Sequence, residues 1–222
     1  MKAAEESFAC PLCRQQETST FWRDRQRDYH RCTTCQLVFV PECFHLPTDQ
    51  ERAVYDLHDN DPADEGYLRF LSRLTEPLLA RLEPHSRGLD FGCGPGPALH
   101  RILAEAGHRV DLYDPFYYKD RAIFDNRYDF ICATEVVEHL RSPDGVFSSL
   151  FGMLRHDGWL AIMTKLVENR EAFAKWHYIR DPTHLCFFSH ESLAHLAEEY
   201  RATLEIIGKD VILLQKNRNL PS

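Results

Sequence analysis

The sequence predicts an α/β fold, in which a mostly parallel sheet is covered by helices on both faces, preceded by a small metal-stapled ribbon. Three observations carry this. Beyond Arg87, short apolar runs alternate with amphipathic stretches. A glycine-rich turn, Gly92-Cys93-Gly94-Pro95-Gly96, follows the first of those runs. Two Cys-x-x-Cys pairs stand near the start of the chain, Cys10 with Cys13 and Cys32 with Cys35. Strands separated by helices pair in parallel, because a long crossover is what brings the next strand alongside in the same direction.

The ribbon comes first, over residues 1–46. Its two cysteine pairs are separated by 18 residues, within the range of a four-cysteine zinc site, where two tight knuckles offer a tetrahedral set of thiolates. A segment of roughly 40 residues has little core of its own and needs such a staple. Cys43, Cys93, Cys132 and Cys186 stand in apolar or glycine-rich settings and read as packing residues. After the knuckles, "QLVFV" reads as a short strand running into Pro41. Residues 47–84 follow as a helical linker. There Tyr67, Phe70, Leu71, Leu74, Leu78 and Leu82 recur at three- and four-residue steps, an amphipathic helix with an expected kink near Pro77.

Residues 85–222 form the main domain. "GLDFG" and "RVDLYD" are its first two strands, with a helix carrying Leu99, Ile102, Leu103 and Ala106 between them. A short third strand is expected near "AIFD" and a fourth at "YDFICA". A helix near 143–155 leads to a fifth at "WLAIMT". A helix starting at Ser189, with Glu191 and Ser192 in its first turn, then leads to two strands joined at Gly208-Lys209.

A chain of 222 residues is long enough to bury a real core. Its 26 Lys and Arg against 34 Asp and Glu give a formal charge of -8. Residues 1–46 hold six of each sign, so the whole deficit lies beyond them. An acidic main domain is a poor electrostatic partner for nucleic acid. The local basic candidates, Arg23, Arg25, Arg27 and Arg31, interleave with Asp24 and Asp28 and read as a solvated face. No apolar run approaches the roughly 20 residues that span a bilayer, and "MKAAEESFAC" lacks the apolar stretch of a secretory signal. The expected location is the cytoplasm, with no membrane partner. Cysteines there favour metal or packing over disulfides.

Glycines in the turn after "GLDF" let the backbone approach a ligand where a β-carbon would collide. Twenty residues after Gly94 the second strand ends in Asp114, placed to accept hydrogen bonds from two ribose hydroxyls. Glycine loop, helix, strand and terminal acid in that order are far more specific than any one of them. With "LDFGCGPG", "VDLYD" and "YDFICATEVVEHL", the chain resembles the class I S-adenosylmethionine-dependent methyltransferases over about residues 85–220. The resemblance implies a Rossmann-like, seven-stranded methyltransferase sheet, with the 47–84 helices covering the cofactor. It puts Asp90, Gly92, Cys93, Gly94 and Gly96 at the methionine end of S-adenosylmethionine, Asp114 at the ribose, Thr134 in the same site and the 125–128 region beside the adenine.

Methyl transfer from a sulfonium is an in-line displacement, so the protein positions the acceptor and helps it lose a proton. Glu135, Glu138 and His139 follow the fourth strand at a spacing that on a helix is one face. A second cluster, Lys165, Trp176, His177, Tyr178, Asp181 and His184, follows the fifth. Glu135, Glu138, His139 and the distal His184 resemble the metal site of small-RNA 2′-O-methyltransferases, and ubiquinone-pathway O-methyltransferases carry a related set. This implies a divalent ion, normally Mg2+, gripping the acceptor hydroxyls. Two carboxylates neutralise a dication, and the ion acidifies a bound hydroxyl; imidazoles also admit manganese, iron, nickel or zinc. The other reading of the same side chains is a hydrogen-bonded cap beneath the cofactor, with His184, then His139, as general base. Trp176 and Tyr178 either stack on a planar acceptor or pack under a lid. The activity expected is O-methylation of a small or medium-sized acceptor. Its rivals are RNA methylation with the ribbon recognising the substrate, and a module that binds the cofactor without turning it over.

Overall fold

The computed structural model describes residues 8–57 and 64–218. Residues 1–7, which carry most of the reading of the N-terminus as free of a signal, lie outside the described residues, as do residues 58–63 of the linker.

The first strands, β1 (Thr18–Arg23) and β2 (Asp28–Cys32), form an antiparallel hairpin, and β3 (Val38–Phe39) pairs with β2. The hairpin turn is held by Asp24, whose carboxylate accepts from the Gln26 and Arg27 N–H groups. Two helices follow, α1 (Thr48–Tyr55) and α2 (Glu65–Leu79). Asp64 caps α2 by accepting from the N–H groups of Gly66 and Tyr67, which fixes where that helix starts. Pro77 lies inside α2, and Leu82 falls beyond its end.

The main sheet is built from β4 (Arg87–Phe91), β5 (Arg109–Tyr113), β6 (Tyr128–Thr134) and β7 (Leu154–Met163), joined through α3 (Ala98–Glu105) and α4 (Pro143–Met153). After β7 come α5 (Arg170–Phe173), β8 (Cys186–Phe187) and α6 (His190–Glu199), which Ser189 and Ser192 cap reciprocally. The chain then closes with β9 (Ala202–Ile207) and β10 (Val211–Lys216), turning at Gly208. The strand order is β5-β4-β6-β7-β10-β9, with the first four parallel and β10 antiparallel to both of its neighbours, β7 and β9. Leu89, Ile131, Ala133, Leu160 and Ile162 bury on one face, and Phe130, Cys132, Ala161 and Met163 on the other. Burial on both faces is why these strands read as unbroken apolar runs.

One feature departs from the sequence reading. Among the described residues the sheet has six strands, not seven. The expected third strand is a 3-10 turn, Arg121–Asp125, because Asp120 accepts from the Ala122 N–H and starts a turn there, and only Ile123 within it is buried. The ribbon, in turn, does not stand apart. Its sheet gains a fourth strand from the main domain, with Val38 opposite Phe187 and Phe39 opposite Cys186. Cys10, Leu12, Leu37 and Phe39 pack into the same core as Ile131, Phe147 and Phe188.

Candidate active site

The parallel strands end at a cavity of about 660 Å³. One side of it is the glycine loop. Gly92 and Cys93 donate their N–H groups to the Tyr113 carbonyl at 2.8 and 3.2 Å, which locks the loop to the end of β5. Gly92 and Gly94 have φ of +75° and +64°, the left-handed region that favours glycine. A Cβ on Gly92 would also stand 2.5 Å from a Val136 methyl, so the loop after β6 packs directly on this one. Asp114 Oδ2 accepts from the Gly94 N–H at 3.1 Å, while Oδ1 accepts from Phe116 at 2.8 Å and Tyr117 at 3.1 Å. Asp114 is therefore a keystone of the loop as well as a ribose candidate. Asp90 is wholly enclosed; burial, and then the charge of Asp114, push its carboxyl up to about 7.

Asp90, Gly92, Cys93, Gly94, Asp114 and Thr134 all line the cavity. Gly96 is not among the residues that line it. Nor are residues 125–128: Tyr128 is buried, with its hydroxyl donating to Asp111 and Ile123, and the wall beyond Asp114 is Pro115, Phe116 and Tyr117 instead. Glu51, Tyr55, Tyr67 and Phe70, from α1 and α2, also line the cavity. Sequence alone did not single out Glu51 and Tyr55; their signal is small, one acid and one aromatic four residues apart on a short helix.

The opposite side holds the residues of "TEVVEHL", but not on one helix face. Glu135 has φ +53° and its N–H donates to the Met163 carbonyl, so the chain leaves β6 in a tight bend, and Val137–His139 is a single 3-10 turn. Glu135 and Glu138 consequently part company. Glu138, His139 and His184 bring ligand-type atoms within 4.8 Å of one another, and Glu135 is outside that group. The Tyr178 hydroxyl donates to Glu138 Oε1, and Glu138 Oε2 is buried with no hydrogen-bond partner. Burial raises Glu138 to about 7, against the pull of the Tyr178 hydrogen bond, and burial followed by the charge of Glu138 raises Glu135 to about 8.

The two imidazoles are fixed by the same device. His139 Nδ1 lies 3.1 Å from the Thr183 carbonyl and His184 Nδ1 lies 2.8 Å from the Tyr178 carbonyl. A carbonyl only accepts, so in each ring Nδ1 carries the proton and Nε2 keeps its lone pair. Burial lowers both pKa values; that of His184 falls to about 4, with His139 as the second cause. Both rings are therefore neutral at physiological pH, bases or ligands but not cations. Their centroids are 4.7 Å apart, with Tyr178 4.0 Å from His184 and Tyr55 5.3 Å from His139. Trp176 stacks on Tyr178 and does not line the cavity; nor does His177, whose Nε2 lies 3.2 Å from Nζ of Lys165, which does.

The ribbon holds the second ligand cluster. Cys10 and Cys35 sulfurs are 3.5 Å apart and those of Cys13 and Cys32 are 3.4 Å apart, with all four within 4.8 Å. A tetrahedral zinc with Zn–S bonds of about 2.3 Å sets its sulfurs roughly 3.8 Å apart, so the four thiols fit that ion.

No curated protein matches the chain. Its fold is similar to that of the 1,6-didemethyltoxoflavin-N1-methyltransferase of Burkholderia thailandensis, solved with 1,6-didemethyltoxoflavin and S-adenosylhomocysteine. The two are 19% identical with a TM-score of 0.52, over 89% of this chain and 98% of that one. It is also similar to an O-methyltransferase family protein of the same organism, at 13% identity and a TM-score of 0.51, over 79% of this chain and 62% of the other. The family model described as "Methyltransferase domain" matches residues 63–204. With the glycine loop, the acid after β5 and the parallel sheet in the order that this domain requires, the chain belongs to the class I methyltransferases and is an enzyme of the S-adenosylmethionine-dependent kind.

Proposed function

We propose that this enzyme transfers the methyl group of S-adenosylmethionine to an oxygen of a small or medium-sized acceptor, in the cytoplasm. Asp90 and the Gly92–Gly94 backbone take the methionine end of the donor, Asp114 the ribose, and Thr134 the same site. The observation that carries the acceptor chemistry is the pair of neutral imidazoles, His139 and His184, each with Nδ1 tied to a carbonyl, grouped with Glu138 so that ligand-type atoms of the three lie within 4.8 Å of one another. An acceptor hydroxyl bound there loses its proton to an imidazole as the oxygen attacks the methyl carbon, and S-adenosylhomocysteine leaves with the pair of electrons of the broken C–S bond. Enclosure by Tyr55, Phe116 and Tyr178 keeps water from competing.

The Glu138, His139 and His184 donor set also fits a divalent ion, since a buried carboxylate oxygen without a partner is the group an ion would satisfy. Mg2+, or another divalent ion, would supply Lewis acidity to the acceptor hydroxyl when bound. Cys10, Cys13, Cys32 and Cys35 would hold a structural Zn2+. The small acceptor is favoured over RNA because the basic candidates are depleted: of the four, Arg27 is buried and Arg23 is paired with Asp28. The toxoflavin enzyme, which shares the fold, takes a small heterocycle.

The test incubates the zinc-loaded protein and isotopically labelled S-adenosylmethionine with a deproteinised small-molecule extract, and separately with total RNA, with and without added Mg2+ or Mn2+. Label in a methyl ether of a small molecule, which survives alkali, or in a methyl ester, which releases labelled methanol in alkali, is expected. Label only in RNA, or only on nitrogen or carbon, would overturn this reading. Stimulation by the ion in wild type but not in Glu138→Ala marks the ion as a working part. Full activity without it leaves His184 or His139 as a plain base.

A further inference from the structure

Arg27, expected in solvent, is only 6% exposed, and its guanidinium is spent on one loop of the main domain. Nη1 donates to the carbonyls of Pro182 at 3.0 Å and His184 at 3.1 Å. Nη2 donates to those of Ile179 at 2.7 Å and Asp181 at 2.9 Å. The arginine is itself braced. Its N–H donates to Asp24 Oδ1 at 2.8 Å, and Asp24 Oδ2 accepts from the Tyr29 hydroxyl, also at 2.8 Å. That hydroxyl lies 3.2 Å from the Ile179 carbonyl as well.

The loop needs this help. His177–Arg180 is a single 3-10 turn, and the bend after it has no ladder in which carbonyls could find partners, although the Asp181 carbonyl also accepts from the His184 N–H at 3.3 Å; buried carbonyls must be satisfied. Tyr178, Asp181 and His184 turn their side chains to the cavity while several carbonyls of the same loop turn the other way, toward the ribbon. Four acceptors converging from one side match a planar fork of five N–H donors; an ammonium offers three from a single point.

We infer that Arg27 is a positioning residue for the acceptor half of the active site: from the ribbon, it fixes loop 179–184 and through it the His184 ring. The consequence rests on the proposed place of His184 beside the acceptor. A ribbon that had served only to recognise a substrate would have no reason to bury an arginine against a loop of the active site.

The test uses the full, zinc-loaded chain with Arg27→Met, Arg27→Lys, His184→Ala and the Met/Ala double variant. Hydrogen exchange by mass spectrometry needs no acceptor. Arg27→Met is expected to raise exchange in residues 177–187 by an order of magnitude or more while the sheet stays protected, with zinc content and S-adenosylhomocysteine affinity unchanged. Transfer of label from S-adenosylmethionine to the small-molecule extract is expected to fall at least tenfold in Arg27→Met, to recover partly in Arg27→Lys, and to fall no further in the double variant than in His184→Ala. Unchanged exchange in 177–187 overturns the inference, and so does a loss of transfer that simply adds to that of His184→Ala or comes with lost zinc or cofactor affinity. If His184→Ala transfers label as fast as wild type, the proposed role of His184 fails, and with it the catalytic consequence; selective loosening of the loop then still marks Arg27 as its anchor. Should Arg27→Met not fold, Arg27→Lys is read alone, and exchange in 177–187 equal to wild type with unchanged transfer counts against the fork.

Discussion

Asp90, Gly94 and Asp114 on the donor side lie in one β-turn-α-β unit, and the contacts that shape their loop run between neighbouring elements: Gly92 to Tyr113, Gly94 to Asp114. Across the same cavity, His139 is held by Thr183, His184 by Tyr178, and their loop by Arg27, whose bond to the His184 carbonyl crosses 157 positions of sequence. The donor loop is thus tied mainly to its nearest elements, with Val136 from the loop after β6 packed against Gly92. The acceptor side exists only when the ribbon, the loop after β6 and the loop before β8 come together. The two halves should therefore respond separately to damage.

The largest expected separation comes from the ribbon cysteines. Structural zinc contributes about 10–16 kcal/mol of apparent folding energy in small ribbons. Wild type should carry one tightly held zinc per chain by metal analysis, and Cys32→Ser should lose it. Because β3 pairs with β8 and Arg27 anchors the loop before it, methyl transfer should go with the zinc. S-adenosylhomocysteine affinity, measured by calorimetry, should change by no more than about threefold, since no residue of the ribbon lines the cavity. Equal loss of both would show that the halves are one unit.

Next comes Glu138→Ala. It removes the carboxylate that accepts from the Tyr178 hydroxyl, leaving that hydroxyl Thr164 alone, and takes the acid out of the group it forms with the two imidazoles. Loss of a positioned acid, base or ion typically costs 10²–10⁴-fold in rate, about 3–5 kcal/mol. Cofactor affinity should be nearly intact, because Glu138 lies on the acceptor side. A variant that loses cofactor binding in step with turnover would make Glu138 a cap beneath the donor instead.

This difference in construction explains what the sequence disclosed. Asp90, the glycines and Asp114 could be read from spacing because a strand, a turn and a helix put them together within one unit. The cysteine knuckles were legible for the same reason. "TEVVEHL" was misjudged as helical because nothing in its spacing says that β6 must turn sharply at Glu135 or that Val136 must meet Gly92. Arg27 was misjudged as solvated because neighbouring aspartates in sequence suggested exposure, whereas its carbonyl partners lie beyond residue 178. The short turn at 121–125 carried strand-like residues, but Asp120 capped it into a 3-10 turn.

A third test uses pH on the cofactor-free protein. Folding holds the proton on Asp90 up to about 7, from an ordinary value of 3.8. Between these values the folded state carries a proton that the unfolded chain has released, so this group favours folding most below the ordinary value, and its contribution is lost as pH rises through 7. Three units at about 1.4 kcal/mol each set an upper limit near 4 kcal/mol. Glu135 and Glu138 push the same way. Asp90→Asn removes its share: in urea titrations the stability of the variant relative to wild type should climb between about pH 4 and pH 7, then level off. A constant difference across that window would deny Asp90 its raised pKa.

The smallest effect expected, and the one that most sharpens the contrast, is at Asp114. Both of its oxygens already accept backbone N–H groups, from Gly94 on one and from Phe116 and Tyr117 on the other. A carboxylate has about four lone-pair positions, so one remains for a ribose hydroxyl while the others preorganise the loop. Asp114→Ala loses both roles, and each charged hydrogen bond is worth about 1.5–3 kcal/mol, so S-adenosylhomocysteine affinity should fall about ten- to a hundredfold. Asp114→Asn should fall less, because its carbonyl oxygen still accepts from one side of the loop. Exchange in residues 177–187 should stay as in wild type in both variants, since the loop's anchors, Arg27 and Tyr29, are untouched. Wild-type affinity in Asp114→Ala would remove Asp114 from the donor site, and a loosened 177–187 loop would show that the donor side holds up the acceptor side after all.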